Sequence, residues 1–426
     1  MKRYQSLVTR FALVALLLLA LLSMGRGIPN AMGLTDSGAS MDLHSYWAPA
    51  RILLHGQDPY AVLRSVDLSK YGIGHQDDKD LPNNPANTPL LLLLLSPLGL
   101  FSWPQARLIY MIVNVILGLI VPLLAIRLLP FKPDGIVQLA FIFAFLAILP
   151  TRNTISNGQT SLLILACAEL SVLLVGKKTK WLAGMFLGVA LSKFSLTLPL
   201  ALWFFVSNFI EAIAIAVGLQ IIGWLVVGFL SSTPPLTIFL EYYRVAAMHA
   251  NLLGDLGLSG LGQRLGAPEG LMNALLALIT ITTLAVVWWY LRKRRDDHSR
   301  GDVLKLCILA VLMIVPLVLV YHRAYDGVML VILPVVIYAC RNQIPNLRQT
   351  SARIRWGMWS TWLALLFIWG IFTLPRFIGI KVVPLWEEVY PIATGIATFL
   401  AYLLSLGLVW IAKALTQNAP PRESSV

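Results

Sequence analysis

Apolar residues in this chain come in blocks rather than in one-faced stripes. The blocks fall at 11–24, 106–128, 136–150, 161–175, 181–191, 194–206, 212–230, 271–291, 303–320, 328–339, 356–374 and 392–411, with polar or basic stretches between them. Hydrocarbon offers no water to an open backbone, so such blocks predict bilayer-crossing helices. The expectation is an all-α polytopic membrane protein of about twelve transmembrane helices. Several blocks fall short of the ~17 residues a crossing needs. They must extend into their polar flanks or form bent, non-spanning helices.

Composition agrees: 58% of residues are apolar and 12% charged, with mean hydropathy +0.76, whereas soluble domains carry about a quarter charged residues. The net charge of +13 does not point to nucleic acid, because the basic residues lie in short clusters between blocks, the positive-inside pattern. Those clusters also suit acidic lipid headgroups. Lys2, Arg3 and Arg10 precede the first block. Ser23-Met24-Gly25 is similar to a signal-peptidase site, but the block reads as a retained first span.

Charge also decides the leucine-rich segment Pro89–Phe101, which is short and interrupted by Pro97. If it crossed, Arg127, Lys132, Lys177, Lys178 and Lys180 would fall outside; as a re-entrant or interfacial segment it leaves them inside. One transmembrane domain over 1–412 is therefore expected in the plasma membrane. Its first extracytoplasmic loop spans 25–104 and its second 231–270, and a disordered cytoplasmic tail follows at 413–426. The three cysteines (Cys167, Cys307, Cys340) sit in or beside blocks without a CxxC, and the six histidines are scattered. Neither a disulfide framework nor a metal site is expected. Asp77–Asp80 ("DDKD") reads as a solvated loop.

This topology gathers chemistry on the outer side: Asp36, Asp42, His44 and Asp58; Asn153, Asn157 and Gln159; Lys193 between two half-length blocks; Arg264; and His322, Arg323 and Asp326 in "YHRAYDG". Ionisable groups at such depths mark functional sites by default. Leu43, Trp47, Ala50 and Leu54 recur at helical spacing, which predicts an amphipathic helix on the membrane surface, ended by Gly56 and Pro59. On residue type alone Asp42 is equally a first-turn anion favoured by the helix dipole. Asp58 reads as a turn residue, and Asp326 as an ion-pair partner for a snorkelling Arg323. An ammonium in hydrocarbon needs an anion or water, and a lipid phosphate suits Lys193.

Three patches resemble glycosyltransferase family 87, the polyprenol-phosphate-mannose-dependent mannosyltransferases of the GT-C fold. They are Asp42 with Tyr46, Ala50, Gly56, Pro59 and Tyr60; "NGQTSLL" from Asn157 to Leu163; and "AGMFLGVALSKFSLTLP" from Ala183 to Pro199. Thr88 stands where an aromatic usually precedes the proline of the leucine-rich segment. The resemblance implies a GT-C-like bundle and inverting transfer of a hexose from a lipid-phosphate donor to an extracytoplasmic glycolipid or glycan. The family's first-loop aspartate maps onto Asp42 and its later loop histidine onto His322.

The chemistry is coherent. A phosphate leaving group needs cations, for which Lys193, Arg323 and Arg264 are candidates, with Tyr46, Asn157 and Gln159 beside them. The acceptor hydroxyl needs a base, Asp42, with His322 as its alternative or helper. No cofactor and no metal is expected. The rival reading is a transporter or flippase of an anionic or lipid-linked substrate, against which stand the missing two-fold repeat and the long first outer segment. A single cysteine replacing Asn157 should react with a membrane-impermeant maleimide from outside intact cells; labelling only from the cytosol would reverse the proposed topology.

Overall fold

The computed structural model describes residues 2–34, 41–62, 87–175, 179–250, 257–293, 302–320, 322–343 and 385–417. Asp36, Asp77–Asp80 and the block 356–374 lie outside these residues. Among the described residues there is no strand. Among the same residues six helices are long and apolar enough to cross a bilayer, and one bent pair would add a seventh. The protein is an all-α polytopic membrane protein. Its chain forms two compact units, one of residues 1–124, 135–198 and 209–253, the other of 125–134, 199–208 and 254–426.

In the first unit, α1 (Lys2–Met32) continues well past the first apolar block. It packs on α6 (Gly135–Ala147) and α7 (Leu149–Asn157). The expected block 136–150 forms α6 and the start of α7, and the two helices meet at 57°. The break has a local cause: Ile148 is extended and Pro150 sits in the first turn of α7, where its missing N–H costs nothing. The polar flank "TRNTISN", expected as an outer loop, is therefore helical, which corrects that expectation. Only residues 158–160 separate it from α8 (Ser161–Leu174), an apolar helix of 14 residues and about 21 Å.

The next blocks form α9 (Lys180–Ala190), α10 (Phe194–Val206) and α11 (Ile210–Leu230). Lys180–Phe205 is apolar and long enough to cross as one helix, yet it does not run straight. A 3-10 turn at Leu191–Lys193 joins α9 to α10, and the Thr197 hydroxyl reaches back to the Ala190 carbonyl at 2.7 Å. In a straight helix those residues would stand about 10 Å apart along the axis. Moreover, α9 and α11 run parallel: Gly184 abuts Ala212 and Ile215, Gly188 abuts Ala216 and Leu219, and Gln220 bonds the Gly188 carbonyl at 2.7 Å. Parallel neighbours require the chain to return between them, so residues 194–209 bring it back to the level where α9 began. The contact is a small-residue seam, Gly184 and Gly188 facing Ala212 and Ala216, which lets the backbones approach closely.

Beyond this seam lie α2 (Met41–Leu54), α3 (Pro59–Val62), α4 (Pro89–Leu95, extended by a 3-10 turn at Ser96–Leu100) and α12 (Pro235–Ala250). The leucine-rich segment spans about 20 Å, less than a bilayer core. It is wedged between α2 and the end of α11, where a Cβ on Gly223 would meet the Leu90 backbone at 2.9 Å. This wedge alters α2. Leu43, Trp47 and Ala50 are buried as the spacing predicts, but so are His44, Tyr46, Ala48, Ile52 and Leu53, while Leu54 is exposed. The helix is thus covered well beyond one face: the 3-10 extension lies on Ala50 and Leu54, Leu53 clusters with Leu92, Val227 and Tyr242, and Tyr46 meets the turn at Gln159. Gly56, at φ +73°, ends the turn that follows.

The second unit contains α13 (Leu258–Arg264), α14 (Glu269–Lys293), α15 (Asp302–Leu319), a 3-10 stretch at Ala324–Val331, α16 (Ile332–Gln343) and α17 (Leu385–Gln417). Helix α15 is buried along nearly its whole length and packs on α17 and α16. Cys307 of α15 faces Cys340 of α16 with sulfurs 3.8 Å apart and no disulfide. Gly188→Leu should lower the thermal midpoint of the purified protein, because overpacking the seam costs ~1–3 kcal/mol. Gly218→Leu, where a Cβ meets nothing within 4 Å, should leave the midpoint unchanged.

Candidate functional site

The first unit brings together Asp42, Tyr46, Asn157, Gln159 and Lys193 around the three-residue turn between α7 and α8. Gly158 closes α7 in the left-handed conformation at φ +66°. Its N–H bonds the Ile155 carbonyl and the next N–H bonds Thr154, a paired C-cap. A Cβ here would lie 2.5 Å from the Leu43 Cβ, so the turn presses directly against α2. Both the conformation and the contact demand glycine.

Gln159 is the node. Its side-chain oxygen accepts the Tyr46 hydroxyl at 2.9 Å, which also lies 3.4 Å from the Thr160 hydroxyl. Its main-chain oxygen accepts from Asn114 at 3.2 Å and from the Tyr110 hydroxyl at 3.5 Å, both on α5 (Trp103–Arg127). Tyr46 and Gln159 are buried, so they brace the turn against α2 and α5. Asn157 is half-buried at the last residue of α7. Its neighbour Ser156 bonds Asn30 of α1.

Lys193, half-buried at the α9–α10 corner, donates to the Ser161 hydroxyl at 3.0 Å. Ser161 is the first residue of α8. An ammonium thus stands beside the positive end of a helix whose first amides have no intrahelical acceptor. That arrangement favours an anion. Asp42 lies in the first turn of α2, half-buried, one helical turn before Tyr46. Its neighbour His44 is enclosed by Trp47 and Trp103, with ring centroids 5.6 and 5.2 Å away. Asp58 is a turn residue as the sequence predicts, with Oδ1 accepting the Tyr60 N–H at 2.9 Å. Burial pushes its carboxyl up from the usual range, and backbone hydrogen bonds oppose this.

The second unit holds Arg264, His322, Arg323 and Asp326. Arg264 is exposed at the end of α13, and Arg323 is half-buried where it caps the 3-10 stretch. Oδ2 of Asp326 lies 2.9 Å from Nδ1 of His322, both side chains being buried. The turn closes where the Asp326 N–H bonds the Arg323 carbonyl at 2.9 Å, and His322 stands four residues before Asp326. A carboxylate oxygen accepts, so in this bond Nδ1 carries the proton.

Sequence reading missed Tyr110, Asn114 and Ser161, and the pairing of Asp326. The first two left a signal, a polar pair four residues apart within an apolar block, which marks an interior face in a membrane helix. The Asp326–His322 pairing left a weaker one, the i, i+4 spacing of the two residues. Among the described residues no three His, Cys, Asp or Glu side chains group as metal ligands.

A model of glycosyltransferase family 87 matches residues 86–319. The match contains Asn157, Gln159, Lys193 and Arg264, begins after Asp42 and ends just before His322. No curated protein and no solved structure matches the chain significantly. Tyr46→Phe should leave the Gln159 side-chain oxygen without its donor and cost ~1–3 kcal/mol, read as a lower thermal midpoint; an unchanged midpoint would remove Gln159 as the brace.

Proposed function

The chain belongs to glycosyltransferase family 87, and from that membership we propose a specific transfer within its membrane glycosyltransferase activity. A hexose, in our reading mannose, passes from a polyprenyl-phosphate donor to a glycolipid or glycan acceptor by inverting single displacement. The reaction takes place on the extracytoplasmic face of the plasma membrane, in a GT-C-like bundle of about twelve helices. The observation that carries the site assignment is Lys193 on Ser161 at the head of α8.

In this reading the donor phosphate sits on the Lys193 ammonium and the α8 N-terminus. Negative charge grows on the phosphate as the glycosidic bond breaks, and a fixed cation stabilises that charge most where water is excluded. Asp42 takes the acceptor proton as its oxygen attacks the anomeric carbon. One carboxylate suffices, because a single displacement forms no glycosyl-enzyme intermediate. Tyr46, Gln159 and Asn157 hold the turn that presents α8. In the second unit, His322 with Asp326 on its Nδ1 is the alternative candidate base, and Arg323 and Arg264 are further candidate cations. Inversion follows from attack opposite the leaving phosphate.

Asp42→Asn should leave the protein folded and membrane-inserted while abolishing transfer from a polyprenyl-phosphate sugar in proteoliposomes. A normal rate would discard the base assignment. Lys193→Met should lower kcat/KM roughly 100-fold or more, whereas a transporter would move solute in the same vesicles without forming a new glycosidic bond.

A further inference from the structure

One aromatic array in the first unit is not used by the chemistry above. Tyr242 of α12 is its hub. Its ring lies 5.9 Å from Tyr60, 6.5 Å from Phe194 and 5.4 Å from Trp224, and Trp224 lies 5.5 Å from Phe239. Phe194 directly follows Lys193 at the α9–α10 corner. The array therefore begins where the phosphate reading places the anion.

Two features separate it from a finished core. First, the Tyr242 hydroxyl is buried yet has no hydrogen-bond partner among the described residues. A buried hydroxyl left so loses its hydration without return. Burial also pushes its pKa up, so it remains a donor. Second, the array is closed on one side only: Tyr60 and Tyr242 are buried, but Phe194 is 42% and Phe239 48% exposed. Open ring faces run outward from the buried donor.

We propose that this array seats the phosphate-proximal end of the lipid donor, with the Tyr242 hydroxyl donating to a phosphate oxygen and Phe194, Trp224 and Phe239 carrying the first isoprene units. The inference rests on a lipid-phosphate donor and names its seat. Branched, unsaturated isoprene units match flat ring faces better than a straight acyl chain does, so the array also discriminates between tails.

The test reads binding, not transfer. The purified full-length chain in phospholipid nanodiscs is titrated with a long-chain polyprenyl phosphate and with dioleoyl phosphatidic acid, and its thermal midpoint is measured without added lipid. Tyr242→Phe should weaken both phosphates roughly tenfold, the value of a hydrogen bond to a charged group, while leaving the lipid-free midpoint equal or higher, because an unsatisfied hydroxyl is gone. Trp224→Ala and Phe194→Ala should weaken polyprenyl phosphate several-fold and phosphatidic acid little. A lowered lipid-free midpoint for Tyr242→Phe with unchanged binding would overturn the hydroxyl's role. Equal losses for the two lipids in the ring variants would overturn the isoprenoid assignment. A wild-type chain that binds polyprenyl phosphate in this pattern but transfers no sugar would count against the proposed function and leave the seat standing.

Discussion

A backbone that leaves its helix among membrane-spanning segments must find hydrogen bonds within the protein. The turn at 158–160 meets that demand, and the arrangement of the first unit follows from it. The Gln159 carbonyl is held from α5 by Asn114 and Tyr110, its side chain from α2 by Tyr46, and Gly158 abuts α2. Three elements far apart in sequence are thereby fixed to one short break. The same break exposes the head of α8 to Lys193. The site is in this sense a by-product of satisfying an interrupted helix.

The structure's division of labour is clear from burial. Tyr46 and Gln159 bond each other inside the protein and set geometry. Asp42 and Lys193 are only half-buried and stand one step further out. The proposed base and the proposed phosphate ligand need access that the bracing residues do not.

Much of this was legible in the sequence. Apolar blocks gave the helices, since a hydrocarbon solvent leaves few other options for such segments. The ends of α2 followed from Gly56 and Pro59, and the turn role of Asp58 from its place before Pro59. The leucine-rich segment was too short to cross, and it is found wedged against α2 and α11. Other features had no local code. That α7 is helical depends on a single extended residue, Ile148, ahead of Pro150. The enclosure of α2 depends on α4, which arrives some forty residues later in the chain. Periodicity describes one helix at a time and is blind to a cover supplied from elsewhere.

The parallel seam between α9 and α11 bears on how the chain is made. Segments emerge from the ribosome in order, and α9 ends in the 3-10 turn that carries Lys193. The glycine face of α9 has no mate until α11 arrives, one segment later. The packing of α9 is therefore completed only when Ala212 and Ala216 of α11 come to lie beside Gly184 and Gly188. Biogenesis of this half of the molecule is thus retroactive: a later segment decides the resting place of an earlier one.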